Sequence, residues 1–322
     1  MYHIYYTQLT EKMIIKQVDS KTKDLEVLEQ LLQMPDLTQQ VRQNIEQKIR
    51  LIRAGIKGEA ESAYQLQFHF GNHPDWVIIH DLRLQYQSKV AQIDHILINR
   101  QLQIFVCESK RIAGGLIINE QGEFSRMYKG KGQGIPSPLE QNQRHISILN
   151  KLLQTSQIQL PSRFGWQLRP SIHSLILVSN EAYIRRPKIS VPELDRVIKN
   201  EQLKTKVHQL SKHLGIFSFI RTVPRASLQK FARQLAQQHR PAQYDWHGYF
   251  GLNHLARKID QPATESQTQT ENQSKTASHY FCVSCHKNIT ASVAYYCWNH
   301  KNIFGGKAYC DQCQQKIKQQ QQ

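Results

Sequence analysis

Three side chains between residues 92 and 110 could do chemistry together: Asp94, Glu108 and Lys110. Two carboxylates offer hard oxygen ligands to Mg2+ or Mn2+, an ion that keeps several of its waters. An amine beside them can orient one such water or offset phosphate charge. The carbonyl of Ser109 is a plausible third oxygen. A phosphodiester repels hydroxide and releases a poor alkoxide, so its hydrolysis needs both an activated water and neutralisation of developing charge. This set of residues suits that reaction.

The chemistry requires elements that bring the three together. Ile93, Ile96 and Ile98, then Ile104 and Val106, alternate as half-buried strands do, with a tight turn between the two runs. Side chains of a strand repeat with period two, so Glu108 and Lys110 share a face. A charge facing into such a sheet is costly unless it is paired or holds a metal. Asp94 interrupts an otherwise apolar run, as Glu108 does. The acid-x-lysine spacing alone is weak, because solvated neighbours on a surface strand would look the same. His95 follows Asp94 directly and belongs on the opposite face, as a packing or hydrogen-bonding residue.

Around this pair the chain predicts an α/β core with a mixed central sheet flanked by helices. Helical periodicity runs from about residue 24 to 67, broken at Met34-Pro35-Asp36, with Ile45, Ile49, Ile52 and Ile56 on one stripe. Gly55 and Gly58 weaken that helix but allow close backbone approach near Glu59. Strands are expected at 76–80, 90–99, 102–109, 115–119 and 123–128, and a buried one at 171–179. Lys129-Gly-Lys131-Gly-Gln-Gly134 reads as a flexible basic loop. Helices are expected at 138–153, 191–214 and 225–239. Residues 261–278 hold no apolar side chain larger than alanine and read as a disordered linker.

Taken in order, Gly58-Glu59, Gln92-Ile93-Asp94-His95, Phe105-Val-Cys-Glu108-Ser-Lys110 and Pro138-Leu-Glu-Gln141 resemble the nuclease-related domain (NERD) family. That family is similar to the PD-(D/E)XK, restriction-endonuclease-like proteins. The resemblance covers residues 50–155 and implies a metal-dependent nuclease. It implies that Asp94 and Glu108 ligate the catalytic Mg2+ or Mn2+ and that Lys110 is the catalytic lysine. Glu59 becomes a further acidic contributor from the preceding helix, and Gln141 a polar site residue at the start of the next. The chain departs from the pattern at Ser137-Pro138, where the family often has Asn-Pro, and at Ser109, where it often has threonine. The run Arg111-Ile-Ala-Gly-Gly115 also lacks the family's aromatic turn.

Composition bears on the partner. Forty-two lysines and arginines against 25 acidic residues leave a net charge of +17 over 322 residues. A polyanion is the natural partner of such a chain, with anionic lipid the lesser alternative. Nucleic acid, with DNA foremost, is expected, and Lys129, Lys131, Lys301 and Lys307 are candidate phosphate contacts. No apolar run reaches the roughly 20 residues that span a bilayer, and no signal segment is visible, so a cytoplasmic protein without membrane contact is expected.

Five of the six cysteines fall between 282 and 313. Cys282-x-x-Cys285 and Cys310-x-x-Cys313 are paired knuckles that can hold a structural Zn2+ in a C4 site, with no open position for catalysis. Cys297 is expected to pack. The module is expected to be a zinc ribbon similar to topoisomerase-type fingers, with Phe304–Tyr309 as a hairpin. Its Tyr295, Tyr296, Trp298 and Tyr309 could stack on bases; a protein partner is the alternative use of the module. The expected organisation is a helical lead-in at 1–50, a nuclease domain at 51–260, the linker at 261–278, the ribbon at 279–315 and a polar tail at 316–322. The rival reading is a binding or scaffold protein that uses a nuclease fold without cutting.

Overall fold

The computed structural model describes residues 13–112, 114–128, 130–212, 218–252, 280–285, 287–289 and 291–319. The chain forms two compact units, one from residues up to 23 together with 47–242, the other from 24–46 together with 243 onward. In chain order the elements up to residue 242 are β1 (Ile14–Lys16), α1 (Thr22–Leu32), α2 (Gln39–Phe70), β2 (Trp76–Tyr86), β3 (Lys89–Asn99), β4 (Gln103–Lys110), β5 (Gly115–Ile118), β6 (Phe124–Tyr128) and β7 (Lys131–Ile135). They continue with α3 (Pro138–Leu153), β8 (Ser162–Arg163), β9 (Trp166–Gln167), β10 (Ser171–Val178), β11 (Tyr183–Arg185), β12 (Val197–Lys199), α4 (Leu203–Ser211), α5 (Ser218–Arg221) and α6 (Arg225–Gln237).

The central sheet of the larger unit is mixed, in the order β1-β2-β3-β4-β10-β12. β2, β3 and β4 are antiparallel neighbours, while β1, β10 and β12 join parallel. The strands carry near-continuous apolar runs because both faces are covered. On one face α3 and α6 bury Ile146, Leu149, Leu228 and Phe231 against Ile79, Ile93, Ile104 and Val106. On the other, Leu66 and Phe70 of α2 and Leu203 and Val207 of α4 meet Ile78, Leu97, Phe105 and Leu177.

α3 provides the crossover from β4 towards β10. Ser137 caps it, accepting a hydrogen bond from the Glu140 N–H at 3.2 Å, and Pro138 occupies the first turn, where no N–H is needed. Buried Asn142 donates to the Val106 carbonyl and the Ser174 hydroxyl, each at 2.9 Å, which fixes the helix across β4 and β10. A second sheet, β11-β5-β6-β7, follows the ends of β4 and β10.

The structure departs from the sequence-based expectations in several elements. Ile14–Lys16 forms an edge strand where no pattern was evident. The basic stretch after Tyr128 is not a loop throughout: Lys131–Ile135 pairs with β6 along five registers. The expected helix at 191–214 is interrupted by β12, because Val197 and Ile198 take up hydrogen-bonding partners along β10. α2 runs unbroken across residue 50. The linker 261–278 lies outside the described residues.

Candidate active site

The register of β3 on β4 decides what meets at the sheet end. The ladder runs Ile98↔Ile104, Leu97↔Phe105, Ile96↔Val106 and His95↔Cys107, then stops. One step further would set Asp94 opposite Glu108, at the point where the strands cease to pair. Freed from the ladder, the Ser109 N–H donates to Asp94 Oδ2 at 2.7 Å. Glu108 and Lys110 do share a face. Lys110 Nζ lies 2.7 Å from Glu108 Oε1, and Gln141 on α3 closes the triangle. The Gln141 amide donates to Glu108 Oε1 at 2.8 Å, and its carbonyl oxygen accepts from Lys110 at 3.1 Å.

Glu108 is 4% exposed, and its Oε2 is buried with no hydrogen-bond partner among the described residues. His145, one turn beyond Gln141, brings Nδ1 to 3.6 Å from that oxygen, too far for a hydrogen bond. An unmatched buried carboxylate oxygen is costly, and either a proton or a bound cation would relieve it.

Glu59 approaches from α2. It is held by Lys21, whose Nζ sits 2.9 Å from both carboxylate oxygens. Gly58 makes the approach possible, since a Cβ there would lie 2.9 Å from Cβ of Arg111. Glu59 makes no hydrogen bond to Asp94 or Glu108, but the three groups feel each other. Burial raises the Asp94 carboxyl well above its ordinary range, and the Glu108 and Glu59 charges raise it further, against the Ser109 N–H and Lys110. Burial likewise raises Glu108, opposed by Lys110 and Gln141. It raises Glu59 against the pull of Lys21, with Asp81 and Glu108 adding to the rise. Burial is the largest cause in all three, so Asp94, Glu108 and Glu59 form one desolvated acidic cluster.

Asp81, His145 and Lys21 escaped the sequence reading. Asp81 faces the break in the ladder: β2 pairs His80↔His95 and Leu82↔Ile93, and Asp81 between them takes a left-handed φ of 52°. Its carboxylate accepts from Gln92 Nε2 and from the Asp19 N–H. The signal was present, since Asp81 interrupts the apolar run of β2 as Asp94 interrupts β3. His95 lies on the far side, as expected, with its Nδ1 2.8 Å from that of His80. The mirrored pairs His80-Asp81 and Asp94-His95 thus stand across from each other.

Of the expected phosphate contacts, Lys131 is exposed at the head of β7, and Lys307 is exposed in the cysteine module. Lys129 lies outside the described residues, and Lys301 opens a short helix.

In the smaller unit the Sγ atoms of Cys282, Cys285, Cys310 and Cys313 all lie within 4.8 Å of one another. Four thiolates around Zn2+ at about 2.3 Å would be about 3.8 Å apart, and Cys285 and Cys310 are 3.5 Å apart. The donor set fits zinc. The Cys282 thiol is lowered to about 6: burial opposes ionisation, but the N–H groups of Cys310, Cys285 and Ser284 outweigh it. Hydrogen bonding to Cys310 pushes Cys313 up to about 12. Among the described residues this is the one cluster of three or more His, Cys, Asp or Glu ligand atoms at such spacing.

Cys297 is buried and packs, accepting from the Tyr309 N–H at 3.3 Å. The ribbon geometry is corrected. The first knuckle lies between two short paired strands, Tyr280–Phe281 and Asn288–Ile289, but Ala291–Asn299, Lys301–Phe304 and Asp311–Gln319 are helices. Ala294 and Cys297, both fully buried, are three apart as a helix face requires. Trp298 packs edge-on to Tyr280 and Tyr309 lies against Phe304, so these rings are engaged within the module.

Residues 54–179 match the family model of the nuclease-related domain, NERD. They contain Glu59, Asp94, Glu108, Lys110 and Gln141, and the chain therefore carries a domain of a nuclease-related class. No curated protein and no solved structure matches the chain. No helix among the described residues is long and apolar enough to cross a membrane.

Proposed function

We propose that the protein is a divalent-metal-dependent nuclease of the PD-(D/E)XK type, hydrolysing phosphodiester bonds of nucleic acid, with DNA the expected substrate. One observation carries the reading: the Glu108–Lys110–Gln141 triangle beside Asp94, with Glu108 Oε2 buried and unmatched. Asp94 and Glu108 would hold Mg2+ or Mn2+, an ion that supplies an activated water and offsets phosphate charge when bound. Lys110, hydrogen-bonded to Gln141, would offset charge that develops on a scissile phosphate. Glu59 adds negative potential from α2, tempered by Lys21. Zn2+ in the cysteine cluster would be structural, because four protein thiolates leave no open coordination position. The net charge of +17 favours salt-sensitive, sequence-tolerant binding to a polyanion.

The test is incubation of the purified protein with linear and circular DNA and with RNA, with and without added Mg2+ or Mn2+. Metal-dependent cutting that disappears in both Asp94→Ala and Lys110→Ala is expected. Cutting that survives both changes sinks the proposal, and cutting of circles would establish endonuclease action.

A further inference from the structure

Lys110 is not the only cation at the acidic cluster. β1 ends at Lys16, and the turn after it is fastened to β2 at Asp81. Lys16 Nζ donates to Asp19 Oδ1 at 2.6 Å and to the Asp81 carbonyl at 2.9 Å. The Asp19 N–H in turn donates to Asp81 Oδ2 at 3.1 Å. Ser20 Oγ accepts from the Thr22 N–H at 3.2 Å, which closes the turn. These contacts fix the chain on both sides of Lys21, whose ammonium lies 2.9 Å from each carboxylate oxygen of Glu59. Burial alone would lower the Lys21 ammonium, but the Glu59 carboxylate outweighs it and Asp81 and Asp94 add to the rise, so the group holds its charge.

The carboxylate oxygens of the cluster are then mostly engaged. Both oxygens of Glu59 face Lys21, and Glu108 Oε1 meets Lys110 and Gln141. Asp81 accepts from Gln92 with one oxygen and from the Asp19 N–H with the other. Asp94 makes its one hydrogen bond among the described residues through Oδ2, to the Ser109 N–H. Two oxygens are left over: Oδ1 of Asp94, and Oε2 of Glu108, which is buried without a partner. Two carboxylate oxygens suit one divalent ion that keeps several of its waters. A second ion, about 3.5–4 Å from the first in two-metal sites, would need a further carboxylate. Glu59 is the one that α2 supplies, and an ammonium already stands against it.

Resting on the nuclease reading, we propose that Lys21 is a built-in cation on the Glu59 side of the cluster, so that the site takes one divalent ion, on Asp94 and Glu108, and excludes a second. Lys21 adds a single positive charge where a second Mg2+ would bring two. Being tethered, it stands at an effective concentration that does not vary with the supply of free ions. Glu59 thereby acts on the bound ion through its charge and not as a ligand.

The experiment counts ions and needs no cleavage. Full-length protein, purified with zinc supplied, is titrated with Mn2+, and the free ion is read by electron paramagnetic resonance. The parent should bind one Mn2+ per chain, and Asp94→Asn should lose it. Lys21→Met keeps the apolar stem but removes the charge, and it should bind two ions over the same concentration range. The double variant Lys21→Met/Glu59→Gln should return to one, and Lys21→Arg should stay at one. Without divalent ions Lys21→Met should melt below the parent, because Glu59 is left unpaired, and Mn2+ should raise its Tm by more than it raises the parent's. Lys21→Gln gives the same count if the methionine variant does not fold. Two ions in the parent, or a single ion in a folded Lys21→Met or Lys21→Gln protein, overturns the inference and leaves the nuclease reading intact. A parent that binds one ion yet cuts neither DNA nor RNA sinks the nuclease reading while the ion count stands, and a parent that binds none overturns both.

Discussion

Replacing Gly58 by alanine adds a single carbon to the inner side of α2, 2.9 Å from Cβ of Arg111 and 3.5 Å from its backbone nitrogen. Carbon atoms rest at about 3.5–4.0 Å, so the helix and the segment after β4 must part by about 0.6–1.1 Å. The helix gains about 1 kcal/mol from losing a glycine. Overpacking costs about 1–3 kcal/mol, leaving a net loss of about 0–2 kcal/mol. A loss of that size lowers Tm by no more than about 8 °C. Activity should suffer far more, because Glu59 adjoins Gly58 and Lys110 adjoins Arg111, so the shift falls on groups that must converge. A displacement near 1 Å costs up to about a hundredfold, and kcat/KM for metal-dependent cleavage should drop about 10- to 100-fold. Gly55→Ala is the control. Its Cβ meets only Glu59 Oε1, at an ordinary 3.7 Å, so it should raise Tm and keep activity. A folded Gly58→Ala enzyme with parental kcat/KM would refute the idea that this helix–strand contact sets the site.

Further outcomes follow from the same geometry. Asp94→Asn keeps an acceptor for the Ser109 N–H but removes a charge that burial and two neighbouring carboxylates disfavour; calorimetry without divalent ions should show a Tm at or above the parent's, while cleavage is lost and Mg2+ no longer raises Tm. Burial lowers His80 to about 4, with Lys16 adding to the effect, so the folded protein refuses a proton that the unfolded chain accepts below about 6.5. Relative to His80→Asn, the parent should therefore lose stability as pH falls from about 6.5 to 4 and show no such difference above that window, as denaturant titrations at stepped pH would reveal. Elemental analysis should find one zinc per chain, retained in Cys297→Ser and lost in Cys310→Ser; retention in both would reject the four-thiolate site.

The central part of the site was legible because strands have a two-residue period. Alternation placed Glu108 and Lys110 on one face, and an acid within an apolar run marked Asp94. The same rule applied to Trp76–Leu84 would have marked Asp81, which carries the identical signal. Lys21 was beyond reach: β1 is only three residues long and is defined by its pairing with β2, not by any pattern of its own. β12 hid inside a helical periodicity because Val197 and Ile198 suit either structure until β10 supplies partners. The aromatic run Ala294–Trp298 has strand-like composition, yet packing of Ala294, Cys297 and Phe304 selects a helix.

The position of β1 and β12 at the two borders of the central sheet has a practical meaning for anyone isolating the nuclease-related segment. Cut at 54–179, the chain would lose both, along with most of the N-terminal half of α2. Two rows of unpaired N–H and C=O groups would then face solvent, on β2 and on β10, both of them long and apolar. Such borders template association with other chains. The excised segment should aggregate at concentrations where the intact protein stays dispersed, and Lys21 would no longer hold Glu59 in place. What the borders protect is thus colloidal behaviour as much as catalysis.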